Sequence, residues 1–248
     1  MQARHVRIEE RGDVALVTID RPPANAMDLE LLEDGRRVLE DLADSGPAAV
    51  VLTGREGFFS AGVDLKLAPT LGAAEQRAMV EGINRLFAGW YSFERPVVAA
   101  VNGHAIAGGL ILALCADHRV GSDKGKLGLT ELKAGIPYPL AAMAVVRAEL
   151  APSAARHLVL HAELVDPPEA RELGALDEVV APDQVVPRAL ETAERLAALP
   201  PSAYGRIKHQ LRGDTIEALG RIGDDPLLES WMAPEAGDAA AGILDRGK

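Results

Sequence analysis

A chain of 248 residues and 26.2 kDa is long enough for one large domain with a full apolar core. Its 48% hydrophobic and 25% charged residues exclude a disordered chain, and a net charge of −11 argues against nucleic acid or an anionic membrane surface as partner. The single cysteine, Cys115, excludes an internal disulfide framework and a cysteine-based zinc site and suits a reducing, cytoplasmic setting, and the opening MQARHVRIEERGD shows no signal-peptide core.

In chain order, residues 14–19 (VALVTI) read as a strand ended by Arg21-Pro22-Pro23. Asp28 then caps a helix whose Leu31, Leu32, Val38, Leu39 and Leu42 share one face, and Ser45-Gly46-Pro47 stops it. Residues 48–53 form a buried-type strand, and residues 54–70 a loop rich in small side chains. Met79, Val80, Ile83, Leu86, Phe87 and Trp90 mark a long amphipathic helix, ended by Glu94-Arg95-Pro96 before a strand at 97–101. Asn102-Gly103 turns the chain, and Gly108-Gly109 opens a very apolar helix through Cys115. Short strand pieces follow at 118–120 and 126–129. The stretch from residue 97 to Cys115 carries Asn102 and His104 among its glycines and is no membrane span. After Pro139 the chain turns to helix upon helix, broken at 151–152, 166–168, 181–182 and 200–201. The reading is α/β followed by a helical tail, with a boundary near residue 195.

Two small-residue loops carry the most information: residues 59–66 (FSAGVDLK) and residues 102–110 (NGHAIAGGL). Each follows a strand and leads towards a helix, where backbone N–H groups are free to face a ligand. Small side chains let another molecule's carbonyl reach the main chain, and two such loops can converge on one oxygen. Either loop alone is more often the mark of tight packing at a turn.

In order and with their surroundings, these loops resemble the enoyl-CoA hydratase/isomerase (crotonase) family. The resemblance runs from residues 20–27 (DRPPANAM) through both loops, residues 115–119 (CADHR) and 128–137 (GLTELKAGIP), to residues 170–180 (ARELGALDEVV). It implies a crotonase-like superhelix of ββα units over residues 1–195. Residues 196–248 would form a C-terminal helical oligomerisation region, building homotrimers or hexamers. The substrate it implies is an acyl-CoA, with no cofactor beyond the coenzyme A of that substrate.

Carried over by position, the resemblance puts two oxyanion-hole N–H groups on Val63 and Gly108 and the catalytic carboxylate on Glu131. Coenzyme A contacts fall on Ala24, Ala26, Ala61 and Lys66, with Lys208 of the helical tail as a further contact near the nucleotide. Hydratases of the family use a second glutamate three residues past the second loop's oxyanion donor. Here that position is Ile111, which can neither accept a proton nor orient water. A single carboxylate suits double-bond isomerisation, with hydration of a 2-enoyl-CoA or non-catalytic acyl-CoA binding as alternatives. Tyr138-Pro139-Leu140 stands where many hydratases carry small glycines, which implies a reshaped pocket.

Other polar groups are read more plainly. Ser60 lies outside any G-x-S-x-G and has no partner placed by a motif, so a serine hydrolase is disfavoured. Cys115 reads as an inert core thiol, His104 as loop packing, Asp117 as a structural carboxylate, and Trp231 as a helix-packing or site-closing residue. The histidines are read as carrying no metal-ligand spacing, so no metal is expected, and no dinucleotide or triphosphate loop occurs.

Overall fold

A computed structural model describes residues 3–232, so the last part of the expected helical tail, 233–248, lies outside the described residues. The chain opens with an antiparallel hairpin, β1 (Val6–Arg11) and β2 (Val14–Ile19), in which Val6 faces Ile19 and Arg11 faces Val14. β1 was not expected from its sequence, VRIEER. It is an edge strand exposed beyond Val6, and its charges are what keep such an edge from pairing further. Helix α1 (Leu29–Ser45) begins where the Asp28 carboxylate accepts the Leu31 N–H at 2.8 Å and ends at Gly46 in the left-handed conformation. Leu31, Leu32, Val38 and Leu42 are buried, as their spacing predicts.

A repeating unit follows. β3 (Ala49–Gly54), β4 (Gly57–Ser60) and helix α2 (Ala73–Ser92) make its first turn, and β5 (Val97–Val101), β6 (Gly103–Ile106) and helix α3 (Gly108–Leu114) its second. β7 (His118–Ser122), β8 (Leu127–Gly128) and a 3-10 turn at Glu131–Ala134 make the third. The first strand of each turn joins one sheet, of order β1-β2-β3-β5-β7 and then β9 (Glu178–Val180), parallel apart from β1. The second strands join another, β4-β6-β8, also parallel. This is the superhelix of ββα units, of mixed α/β class.

The larger sheet is covered on both faces, as parallel sheets are. Alternation along the strands sorts the contacts. Val14, Leu16, Ala49, Val51, Val98, Ala100 and Val120 pack on Val185, Ala189 and Ala193 of helix α4 (Val185–Ala197). Ala15, Val17, Val50, Leu52 and Ala99 face the main core with α1, α2 and α3. Between the 3-10 turn and α4 the chain forms helix α5 (Leu140–Glu149), α6 (Pro152–Arg156), a π-helical turn at His157–His161, α7 (Pro167–Glu172) and then β9. The described chain ends with helix α8 (Pro201–Leu219) and two short 3-10 turns. Leu219, Leu228 and Trp231 belong to the main core, so the tail packs into the body of the molecule.

Candidate active site

The two small-residue loops meet because glycine allows it. Gly62 sits at φ +76, and a Cβ there would stand 2.8 Å from the Gly108 nitrogen and 2.9 Å from both Ala107 Cβ and the Ile106 carbonyl. A Cβ on Gly109 would lie 2.1 Å from the Ser60 carbonyl oxygen. Ala107 holds φ +53 and ψ −128, a region unfavourable for a residue with a side chain and the kind of strain that packing must hold in place. Met27 donates its N–H to the Gly62 carbonyl at 2.6 Å, and Asp64 donates to the Met27 carbonyl at 2.9 Å. That parallel bridge uses the Gly62 carbonyl and the Asp64 N–H on either side of Val63 and leaves the Val63 N–H directed away from Met27. Gly108 is the first residue of α3, where N–H groups lack a partner within the helix.

Beneath the loops lies a cavity of about 430 Å³. Ala24, Ala26, Ala61, Val63, Lys66, Gly108 and Glu131 all line it, so the structure brings together every expected site residue but one. Apolar side chains from three helices close it: Ile83 and Phe87 of α2, Ile111 of α3 and Ala142 of α5, with Trp231 from the tail. The exception is Lys208. It lies on α8 in a separate cleft, 7% exposed, with its ammonium 2.7 Å from the Asp117 carboxylate and 3.2 Å from the Arg95 carbonyl. Burial pulls the Lys208 pKa down while Asp117 pulls it up. Within this chain Lys208 ties α8 to Asp117 and the Arg95 carbonyl and does not face the cavity, so the structure does not bring it together with the other expected site residues.

Glu131 opens the 3-10 turn after β8. Its Oε2 is buried without a hydrogen-bond partner among the described residues. Burial pushes its pKa up to about 7, against the opposing pull of the Tyr138 hydroxyl and its own backbone N–H. Asp64, the other carboxylate on the cavity wall, stands differently. It is 3.3 Å from the Arg21 guanidinium, which also pairs with Asp28 at 2.5 Å and donates to the Ala26 carbonyl at 3.0 Å. Glu131 is therefore the one carboxylate on this wall, among the described residues, without a cation beside it. Ile111 is 1% exposed and presents hydrocarbon where a second carboxylate would have stood.

The remaining candidates fall into structural roles. The Ser60 hydroxyl donates to the Asn25 carbonyl at 2.7 Å and accepts the Gly62 N–H at 3.2 Å, with no base bonded to it among the described residues. Cys115 is buried, its thiol pKa is raised by that burial, and its sulfur lies 3.3 Å from the Ile111 carbonyl. His104 stacks on Phe58 at 4.8 Å and accepts the Lys126 N–H at 3.2 Å. Asp117 accepts the Val97 N–H at 2.8 Å besides holding Lys208. The histidine spacing needs correction: His157 and His161 stand four apart on the π-helical turn, with ring centroids 4.8 Å apart. No group of three or more potential ligands joins them among the described residues.

Sequence reasoning missed two fixtures of the site. Asn25 is fully buried at φ +52. It accepts the Arg21 N–H and directs its amide to the carbonyls of Ile19, Phe58 and Phe59, at 2.8 to 3.1 Å, tying β2 to β4. Its signal was a lone Asn after two prolines in a run of small residues. The second is Tyr138, noted only as a bulky replacement, whose hydroxyl is buried in the cavity wall.

A ββα superhelix in which two glycine-hinged loops roof an apolar cavity, with Glu131 the carboxylate without a cation beside it, has the layout of a proton-transferring enzyme. The chain belongs to the enoyl-CoA hydratase/isomerase family, whose model matches residues 9–222. It is 37% identical over 242 residues, 94% of each chain, to a Thermus thermophilus protein provisionally named an enoyl-CoA hydratase. It is 32% identical over 214 residues to the short-chain-enoyl-CoA hydratase of Clostridium acetobutylicum, covering 85% of this chain and 82% of that one. Among solved structures, human mitochondrial delta3-delta2-enoyl-CoA isomerase superimposes with a TM-score of 0.91 at 28% identity, covering 98% of both chains.

Proposed function

We propose that this chain isomerises the double bond of a 3-enoyl-CoA to the 2-enoyl-CoA, with Glu131 as the single base. The observation that carries the reading is a cavity wall on which, among the described residues, Glu131 is the one carboxylate without a cation beside it and Ile111 presents hydrocarbon. The Glu131 carboxylate takes the proton from C2, and the electron pair of that C–H bond flows to the thioester oxygen, giving a dienolate. The N–H groups of Val63 and Gly108 donate to that oxygen, and a donor fixed in a dry site is worth roughly 3 kcal/mol in the transition state. Glu131 then returns the proton to C4, the electron pair re-forms the thioester carbonyl, and the double bond moves to C2–C3. A carboxyl held near neutral pKa suits both transfers, since it must accept and give back the same proton.

The small side chains Ala24, Ala26 and Ala61 leave room for coenzyme A along the roof, and the exposed Lys66 offers a local cation to its phosphates. Hydration of a 2-enoyl-CoA is the second reading, favoured by relatives named as hydratases. Glu131→Gln tests the first: it should lower isomerisation of a 3-enoyl-CoA about a thousandfold in a protein that still folds. Near-normal turnover by that variant would remove Glu131 as base. Association into trimers or hexamers is supported by α8, whose Ile207 and Leu211 stand 63% and 85% exposed.

A further inference from the structure

After Glu131 the chain doubles back on itself. The 3-10 turn ends at Gly135 in the left-handed conformation, φ +66, and the Ile136 N–H donates to the Glu131 carbonyl at 3.0 Å. The next residues are pinned on both sides of Tyr138. Trp231 Nε1 donates to the Pro137 carbonyl at 3.2 Å. The Leu140 N–H donates to the Asp225 carboxylate at 2.7 Å, and the Asn84 amide donates to the same oxygen at 2.8 Å. Asn84 in turn accepts the Ala141 N–H at 2.9 Å. Asn84 of α2 and Asp225 and Trp231 of the C-terminal stretch thus hold this segment of the cavity wall in place.

What this segment delivers is a phenol. The Tyr138 hydroxyl and Glu131 Oε2 are both buried, both without a hydrogen-bond partner among the described residues, and both on the wall of one cavity. A buried polar atom left unpaired costs about 1–3 kcal/mol, so two that can satisfy each other, one donor and one acceptor, stand poised to meet. We propose that Tyr138 is a positioning residue for Glu131: with substrate bound, its hydroxyl donates to one carboxylate oxygen and leaves the other facing the substrate carbon. This rests on Glu131 being the base. The phenol keeps its proton throughout, because burial and the adjacent carboxylate both raise its pKa. Its hydrogen bond favours the ionised carboxylate and so opposes the burial that would otherwise keep Glu131 protonated at neutral pH.

The test is the pH profile of kcat/KM for isomerisation of a 3-enoyl-CoA by wild type, Tyr138→Phe and Glu131→Gln, with melting curves for each. Tyr138→Phe should move the acidic limb up by about one pH unit, losing roughly tenfold at pH 6 and recovering towards wild type at pH 9. Should that variant melt too low to assay, wild type made with 3-fluorotyrosine supplies a stronger phenol donor, and its limb should move down. An unmoved limb in either experiment makes Tyr138 a packing residue and overturns the inference. Loss of turnover at every pH in a folded Tyr138→Phe also overturns it, since the phenol would then handle a proton itself. Near-normal turnover in Glu131→Gln defeats the base assignment, whereas an about thousandfold slower Glu131→Gln beside an unmoved Tyr138→Phe limb defeats only the positioning role.

Discussion

At the residue scale, Glu131 sits at a conflict between folding and chemistry. A carboxyl that titrates near 4.5 when unfolded and about 7 when folded binds more protons in the native state between those values. Stability therefore falls as pH rises through that window, by roughly 3 kcal/mol once the group is fully ionised. Glu131→Gln should accordingly melt higher than wild type at pH 8, with a smaller difference at pH 5. The same substitution should lower isomerisation about a thousandfold, the scale of a lost general base. Kinetics and calorimetry on one protein thus read both sides of the conflict. Wild-type kcat/KM should climb with pH through about 7, as the free enzyme's base ionises. Ile111 is the second lever: Ile111→Glu places a further carboxylate on the same cavity wall and should raise hydration of a 2-enoyl-CoA, measured by loss of its conjugated thioester absorbance. An unchanged hydration rate in the folded variant would show that water is not limited by this position.

At the element scale, the site depends on how closely β4 and β6 lie. Gly109→Ala would drive a methyl group into the Ser60 backbone, which cannot swing aside as a side chain can. Several kcal/mol of stability and the oxyanion arrangement should be lost together, visible as a lower melting temperature and lower kcat. Asp28→Ala, by contrast, removes the N-cap of α1 and frees Arg21 from one partner. About 1 kcal/mol should go from the cap alone, read by chemical denaturation. Helices α1, α2 and α3 and the central strands were legible because their periodicity reports burial directly. β1 was not, since an exposed edge strand carries charges and lacks clean alternation. Nor were β4 and β6, four residues each: Gly57 of β4 answers to a left-handed φ of +80 and Gly103 of β6 to the Gly57 backbone beside it, not to strand propensity. β9, three half-buried residues among helices, gives no pattern at all.

At the scale of the whole molecule, the two loops and Glu131 come from successive turns of one superhelix, which is why residues 60 and more apart in sequence share a cavity. Their order was readable; the companions supplied by folding were not. Trp231 reaches the cavity from the far end of the described chain, and Asp225 braces it by way of Asn84 on α2. Lys208 shows the opposite lesson: a lysine in a matching position is claimed by a buried ion pair with Asp117. With a net charge of −11, the proposed binding of an anionic coenzyme A rests on local groups such as Lys66 and free N–H groups. Sedimentation should give a trimer or hexamer, and Leu211→Asp should shift it towards monomer; a wild-type monomer would remove the role assigned to α8. The most direct test compares kcat/KM of the wild-type protein for isomerising a 3-enoyl-CoA and for hydrating the corresponding 2-enoyl-CoA. A single-base isomerase predicts at least about a tenfold preference for isomerisation, whereas hydration as fast as isomerisation would contradict it.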